Sequence, residues 1–238
     1  MQKIVGVMRA VIEKYDMVSP GDVIGVGVSG GKDSLMLLCG MAALRDILPG
    51  GFELAALTVD PCFGGEKTDY SRIEELCRRL KVPFKARRTE LGKIIFEDRK
   101  EKNPCSLCAR MRRGMLHDMA REAGCNKIAL GHHYDDAVET FLMNLFYGGR
   151  IGCFSPVSYL SRKELWMIRP MLFCEEKAIA AAAARLHLPV TKSQCPADGN
   201  TAREETKKFV ADMCRNIPDM KAKIIGAMER ANIDGWRG

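Results

Sequence analysis

Ser29-Gly30-Gly31-Lys32-Asp33-Ser34 is the stretch on which the reading of the fold turns. It follows a β-branched run, Asp22 to Val28, and leads into Leu35 to Leu44, which reads as a helix closed by Pro49-Gly50-Gly51. Strand, glycine-rich loop and helix in that order aim backbone N–H groups and a helix dipole at one point, which makes an anion site. Paired glycines let phosphate oxygens reach the backbone, and the Ser29 and Ser34 hydroxyls can donate hydrogen bonds. The spacing is neither the G-x-x-x-x-G-K-[ST] of Walker ATPases nor the G-x-G-x-x-G of dinucleotide folds.

Outward from this loop the same alternation continues. Met1 to Tyr15 has the spacing of an amphipathic helix. Phe52 to Val59 reads as a second strand, Tyr70 to Leu80 as a helix and Pro83 to Arg88 as a third strand. Ser106 to Ala123 reads as a helix, Lys127 to Leu130 as a strand, and Asp136 to Phe146 as a helix. The Gly/Pro-rich stretch Gly148 to Pro156 marks the expected end of the nucleotide-binding core. Leu165 to Ile168 follows as a strand, then helices over Glu175 to Leu186, Thr201 to Arg215 and Asp219 to Ala231. Alternation of this kind predicts an α/β fold, a doubly wound parallel sheet covered on both faces, with ligands at the carboxyl ends of its strands. The expected organisation is an N-terminal helix (1–20), a catalytic domain (21–200) and a short helical C-terminal tail (201–238).

With 238 residues, 47% of them hydrophobic, the chain can bury one substantial core. No stretch approaches about 18 uninterrupted apolar residues, and Met1 to Met8 does not read as a cleavable leader, so a soluble, cytoplasmic protein away from membranes is expected. Ten cysteines scattered through a chain of this size point to thiols or metal ligands before disulfides. The net charge of +7 is concentrated: ten Lys/Arg between Lys85 and Arg113 face only Glu90, Glu97, Asp98 and Glu101. A basic surface beside chemistry has phosphates as its natural ligand.

Two polar groupings stand out. His132, His133, Asp135 and Asp136 lie just past a short apolar strand, hence at the carboxyl edge of the sheet. Asp33, Asp135 or Asp136 could hold Mg²⁺ against phosphate oxygens, a histidine could position a phosphate or move a proton, and one aspartate could simply cap the next helix. Cys105 and Cys108 form C-x-x-C, with Cys195 in Gln194-Cys195-Pro196. Three thiolates suit an iron–sulfur cluster with one open iron, while a redox pair or a zinc site remains an alternative. Cys39, Cys77 and Cys125 read as core residues, and Cys62 lies beside Asp60 at the expected active edge. Phe63 and Tyr134 could stack on a base, although packing suits both.

The SGGxDS loop resembles that of the PP-loop ATP pyrophosphatases, of adenine nucleotide alpha hydrolase-like fold. Leu130-Gly131-His132-His133-Tyr134-Asp135-Asp136, with Cys105-Ser106-Leu107-Cys108 before Arg110 and Arg112-Arg113-Gly114, resembles the tRNA 2-thiocytidine synthetases, over about residues 20 to 200. That family usually presents its third cysteine as PC-x-x-C, where this chain has Gln194-Cys195-Pro196-Ala197-Asp198-Gly199. The resemblance implies an enzyme that adenylates a pyrimidine of tRNA, by expectation cytidine, and replaces its oxygen with sulfur. It implies ATP at Gly30, Gly31, Lys32, Asp33, Ser34, Thr58, Val59, Asp60, Gly131 and His132, to which Ser29 and Asp136 are added as cofactor-binding candidates, with Mg²⁺ beside the phosphates. It also implies a [4Fe-4S] cluster on Cys105, Cys108 and Cys195, with Asp33, Asp60, Asp135 and Arg112 as candidates for the chemistry itself. Arg112 and Arg113 would face target phosphates or the adenylated base. Expected partners are tRNA and a sulfur donor, either a cysteine desulfurase or inorganic sulfide, with homodimerisation through the first helix or the tail left open. The alternatives are a PP-loop ligase of the tRNA lysidine synthetase type and a noncatalytic zinc-containing RNA-binding protein.

Overall fold

The computed structural model describes residues 1–99, 104–191, 194–196 and 202–238. Glu101, Ala197 to Gly199 and Thr201, named above, lie outside the described residues, as do Lys100 and Lys102 of the basic stretch. The chain runs through α1 (Gln2–Lys14), β1 (Val23–Gly27), α2 (Lys32–Arg45), β2 (Glu53–Asp60), α3 (Ser71–Arg79) and β3 (Phe84–Arg88). A short turn α4 (Leu91–Lys93) passes into a π-turn at Ile94–Asp98. Then come α5 (Pro104–Glu122), β4 (Lys127–Ala129), α6 (Tyr134–Phe146), β5 (Val157–Leu160), β6 (Leu165–Ile168), α7 (Glu176–Arg185), α8 (Ala202–Asn216) and α9 (Met220–Arg230).

Six strands form one sheet in the order β3-β2-β1-β4-β6-β5. All neighbours are parallel except β5, which runs antiparallel to β6 and closes the edge. Ile24 and Val26 of β1 are fully buried because the strand is covered on both faces. On one face lies α2, apolar all round because α1 and α7 pack over it in turn. On the other, Met119 and Ala120 of α5 press on Leu57 and Ile128. The two central strands are tied at their entering ends: Asn126 Nδ2 donates to Asp22 Oδ1 at 2.8 Å and the buried Lys127 pairs with Asp22 at 2.7 Å. A buried ammonium is tolerated there because it is paired and donates as well to the Met17 carbonyl.

Strand order places the site. β2 and β3 extend the sheet on one side of β1, whereas β4 returns to the other side, so the connections part company between β1 and β4. A crevice opens at such a switch point, outside the carboxyl ends of the strands. The residues leaving β1 and β4 there are Val28 to Lys32 and Leu130 to His133. The helices after β6 close the structure: α8 and α9 pack on α6, and Trp236 is fully buried, its Nε1 donating to the Phe154 carbonyl at 2.9 Å.

Candidate functional site

The loop after β1 is wound by its own serines. Ser34 Oγ donates to the Gly31 carbonyl at 2.9 Å and accepts from Ser29 N at 3.1 Å, with the Ser29 hydroxyl 3.2 Å away. Gly30 sits at φ +87°, and a Cβ built on it would fall 2.1 Å from Thr191 Oγ1. The Gly30 carbonyl accepts from Thr191 N at 3.0 Å, so the distant segment after α7 is latched onto the loop. Gly31 is the N-cap of α2 and gives that helix no side-chain cap, which leaves its first N–H groups turned toward the cleft. Gly131 permits close approach from the other side: a Cβ there would stand 3.3 Å from the Asp33 carbonyl carbon and the Ser34 nitrogen.

Lys32 binds Asp33 at 3.1 Å and Glu176 of α7 at 3.0 Å. Burial alone would lower its pKa, but the Glu176 and Asp33 carboxylates more than offset that, and it stays a cation. Glu176 is raised by burial yet held at about 2 by hydrogen bonds from Lys207 and Lys32. Asp33 keeps its Oδ1 buried and without a hydrogen-bond donor among the described residues, with His133 Nε2 3.8 Å away. A buried carboxylate oxygen lacking a donor fits a cation or water held there.

The four polar residues after β4 divide their work. His133 caps α6: its Nδ1 accepts from Asp136 N at 3.3 Å while Asp136 Oδ2 accepts from His133 N at 3.0 Å, a reciprocal capping pair. Asp136 Oδ1 takes Arg203 of α8 at 2.7 Å. Asp135 turns toward α7 and α9, accepting from Glu176 N at 2.7 Å and from Lys221 at 2.5 Å. His132 lines the cleft and is partly buried, its ring stacked on Phe154. Of the residues after β2, Val59 lines the cleft, Thr58 donates to the Val28 carbonyl at 2.7 Å, and Asp60 is fully buried. Asp60 organises the turn that follows, accepting from Cys62 N, Thr68 N and the Thr68 hydroxyl. Phe63 lines the cleft with Phe96 edge-on to it at 5.7 Å, and Tyr134 packs against the core.

A single cleft of about 740 Å³ joins these parts. It runs from Ser29 and Asp33 past Gly131 and His132 to Ala109, Arg112 and Arg113 of α5, with Gln194 at its rim. Cys105, Cys108, Ala109 and Arg112 are spaced for one face of α5, so the cysteine pair lies on the stripe that meets the cleft. Cys108 is buried among Leu91, Ile95 and Phe63, while Cys105 is exposed. Burial pushes the Cys108 thiol up, the Arg112 guanidinium pulls it down, and the nearby Cys195 and Cys105 sulfurs push it up again. Cys195 lies close enough to Cys108 for its charge to be felt there. Among the described residues no three His, Cys, Asp or Glu side chains close around one metal ion. A cluster asks for something different, since each thiolate ligates a different iron; Arg112, which lines the cleft, has a buried Nε unpartnered among the described residues. Cys39, Cys77 and Cys125 are core residues, at 4%, 1% and 2% exposure.

Sequence reading passed over Arg169, Thr191, Glu176 and Arg203. Arg169 carried a signal: a charge directly after the apolar strand Leu165–Ile168 sits where strand-end ligands are expected. The others come from segments with no periodic relation to the loop.

An anion-binding loop and a helix N-terminus at the switch point of a mostly parallel sheet define a nucleotide-binding α/β protein. A family model described as PP-loop domain matches residues 6–213. The tRNA-cytidine(32) 2-sulfurtransferase of Syntrophotalea carbinolica is 40% identical over 220 residues, 91% of this chain and 84% of the relative. The protein of the same name from Geobacter sulfurreducens is 34% identical over 234 residues, 95% of this chain and 89% of the relative. In fold, the chain is similar to the U34-tRNA thiolase NcsA from Methanococcus maripaludis, solved with its [4Fe-4S] cluster, at a TM-score of 0.77 and 24% identity, covering 95% of this chain and 77% of that one. The chain belongs to the PP-loop domain family and, within it, to the tRNA-cytidine(32) 2-sulfurtransferases.

Proposed function

We propose that this protein is an ATP-dependent tRNA thiolase that adenylates a cytidine oxygen and exchanges it for sulfur. The observation that carries the reading is the shared cleft: the glycine-rich loop lies at one end and the α5 stripe bearing the cysteine pair at the other. Its volume suits a nucleotide together with a base.

The triphosphate would lie over Gly30 and Gly31, on the uncapped N–H groups of α2, with Lys32 swinging from Glu176 to phosphate. Asp33 is the carboxylate available to Mg²⁺, because Asp135 and Asp136 are already engaged by Lys221 and Arg203. The base oxygen attacks the α-phosphorus, forming an O–P bond as pyrophosphate leaves, and the preorganised N–H groups and Lys32 hold the charge that develops. Sulfur then forms a bond to the base carbon, and AMP departs with the oxygen. A [4Fe-4S] cluster on Cys105, Cys108 and Cys195 would leave one iron without a protein ligand, the place for an extra sulfide from the donor. Burial pushes the Cys108 thiol up while the Arg112 guanidinium pulls it down, and Arg112 would orient the adenylated base or its phosphate. The substrate is tRNA, reached through the basic residues at the cleft mouth, Arg112 and Arg113 among them.

Anaerobic purification tests the reading. Brown protein with visible cluster absorbance, lost in Cys105→Ser and Cys108→Ser but kept in Cys39→Ser, supports it, together with loss of 2-thiocytidine from tRNA of a deletion strain and its return with the intact gene. A colourless protein holding stoichiometric zinc, or unchanged thionucleosides in the deletion strain, refutes it.

A further inference from the structure

Arg169 follows β6 directly and is 4% exposed, an unusual place for a guanidinium. Every nitrogen is accounted for. Its Nε donates to His132 Nδ1 at 3.2 Å, one terminal nitrogen donates to the Ser155 carbonyl, and the other lies 3.6 Å from Met167 Sδ. The guanidinium sits 5.0 Å over the Phe154 ring, and the His132 imidazole stacks on that same ring with centroids 4.8 Å and planes 27° apart. Phe154 is itself fixed from behind, since its carbonyl accepts from Trp236 Nε1.

Two consequences follow from hydrogen-bond chemistry. A guanidinium has only donors, so Nδ1 of His132 must present a bare lone pair, and the proton of the neutral ring must sit on Nε2. The ring lines the cleft, and among the described residues no protein group pairs with Nε2. We propose that Arg169 is a positioning residue that locks His132 as the neutral Nε2–H tautomer, so that His132 offers the cleft a fixed hydrogen-bond donor in place of a proton shuttle. The identity of the acceptor rests on the thiolase reading above: an oxygen of the adenylyl group or of the base that receives it. The surroundings act in the same sense. Burial pushes His132 down to about 3, and the charges facing it, Arg169, Arg203 and Arg113 with His133, all oppose a second proton.

The ligand-free protein gives the first test, which does not depend on thiolation. With four histidines in the chain, ¹⁵N NMR of the imidazoles can be assigned by single substitutions. His132 should show a protonated Nε2 and an unprotonated Nδ1, with no titration from about pH 5 to about pH 9. In Arg169→Leu, or in Arg169→Met should the leucine variant not fold, Nδ1 loses its donor and part of the His132 population should carry the proton on Nδ1; a variant that keeps it wholly on Nε2 overturns the proposal. A wild-type His132 that titrates in that window, or carries its proton on Nδ1, overturns the proposal. The second test separates donor from shuttle. His132→Gln, which keeps a donor, should retain activity within about tenfold, whereas His132→Phe, which keeps the stack alone, should lose about 100-fold in kcat. Equal losses in both variants overturn it.

Discussion

Replacing Glu139 by glutamine should stabilise the protein, and increasingly so as pH rises. Glu139 lies on α6 at 5% exposure, one turn from Asp136. Burial raises its pKa from 4.5 to about 7, the Asp136 carboxylate adds to this, and Arg203 and Lys207 only partly oppose it. The folded state therefore holds the proton more tightly than the unfolded chain. Its contribution to stability is fully present below about pH 4.5 and is lost as pH climbs through about 7, because the unfolded state releases the proton first. A shift of this size corresponds to about 3 kcal/mol, at about 1.4 kcal/mol per pKa unit. Most of it develops between about pH 5 and about pH 8, so the gain from Glu139→Gln should grow by about 2 kcal/mol across that range. Urea unfolding of both proteins at the two pH values measures this directly. A difference that stays flat with pH, or that favours the wild type at the upper value, would mean that the buried carboxyl is compensated in the fold and that the reasoning fails.

Gly30→Ala forces a Cβ onto Thr191 Oγ1 and a left-handed φ costing roughly 1–2 kcal/mol. The variant should bind ATP at least about tenfold more weakly by calorimetry and melt several degrees lower, whereas Gly31→Ala, which meets only Ser29 Oγ at 3.5 Å, should keep its melting temperature. Arg203→Ala removes a cleft-lining guanidinium and frees Asp136; the KM for ATP should rise by about tenfold or more. An unchanged KM would confine Arg203 to fastening α8.

Local pattern carried the frame of the molecule. The run Asp22 to Val28 and the Ser29 to Ser34 loop were legible because backbone geometry, β-branching and helix capping act over a few residues. Glu176 was read only as the start of an alanine-rich helix, since nothing local shows that α7 lies over the loop so that its first carboxylate meets Lys32. β5 escaped for another reason: Val157 to Leu160 is an edge strand with Tyr159 half exposed, so it has neither the alternation nor the apolar run of a buried one. The histidine pair was visible as a pair, but not its division of labour. Which ring caps a helix and which meets a guanidinium depends on β6, more than thirty residues further on.

The bond from Trp236 to Phe154 carries a lesson about assembly. Phe154 backs the ring of His132, and Trp236 backs Phe154, while Lys14 and Tyr15 at the end of α1 meet Glu229 and Arg237. A nascent chain that has emerged only through β4 already owns its phosphate loop but lacks the wall that would face it. Nucleotide recognition therefore ripens late, after contacts between the most widely separated stretches of sequence have formed, and a prematurely terminated product would be a folding intermediate with half a pocket.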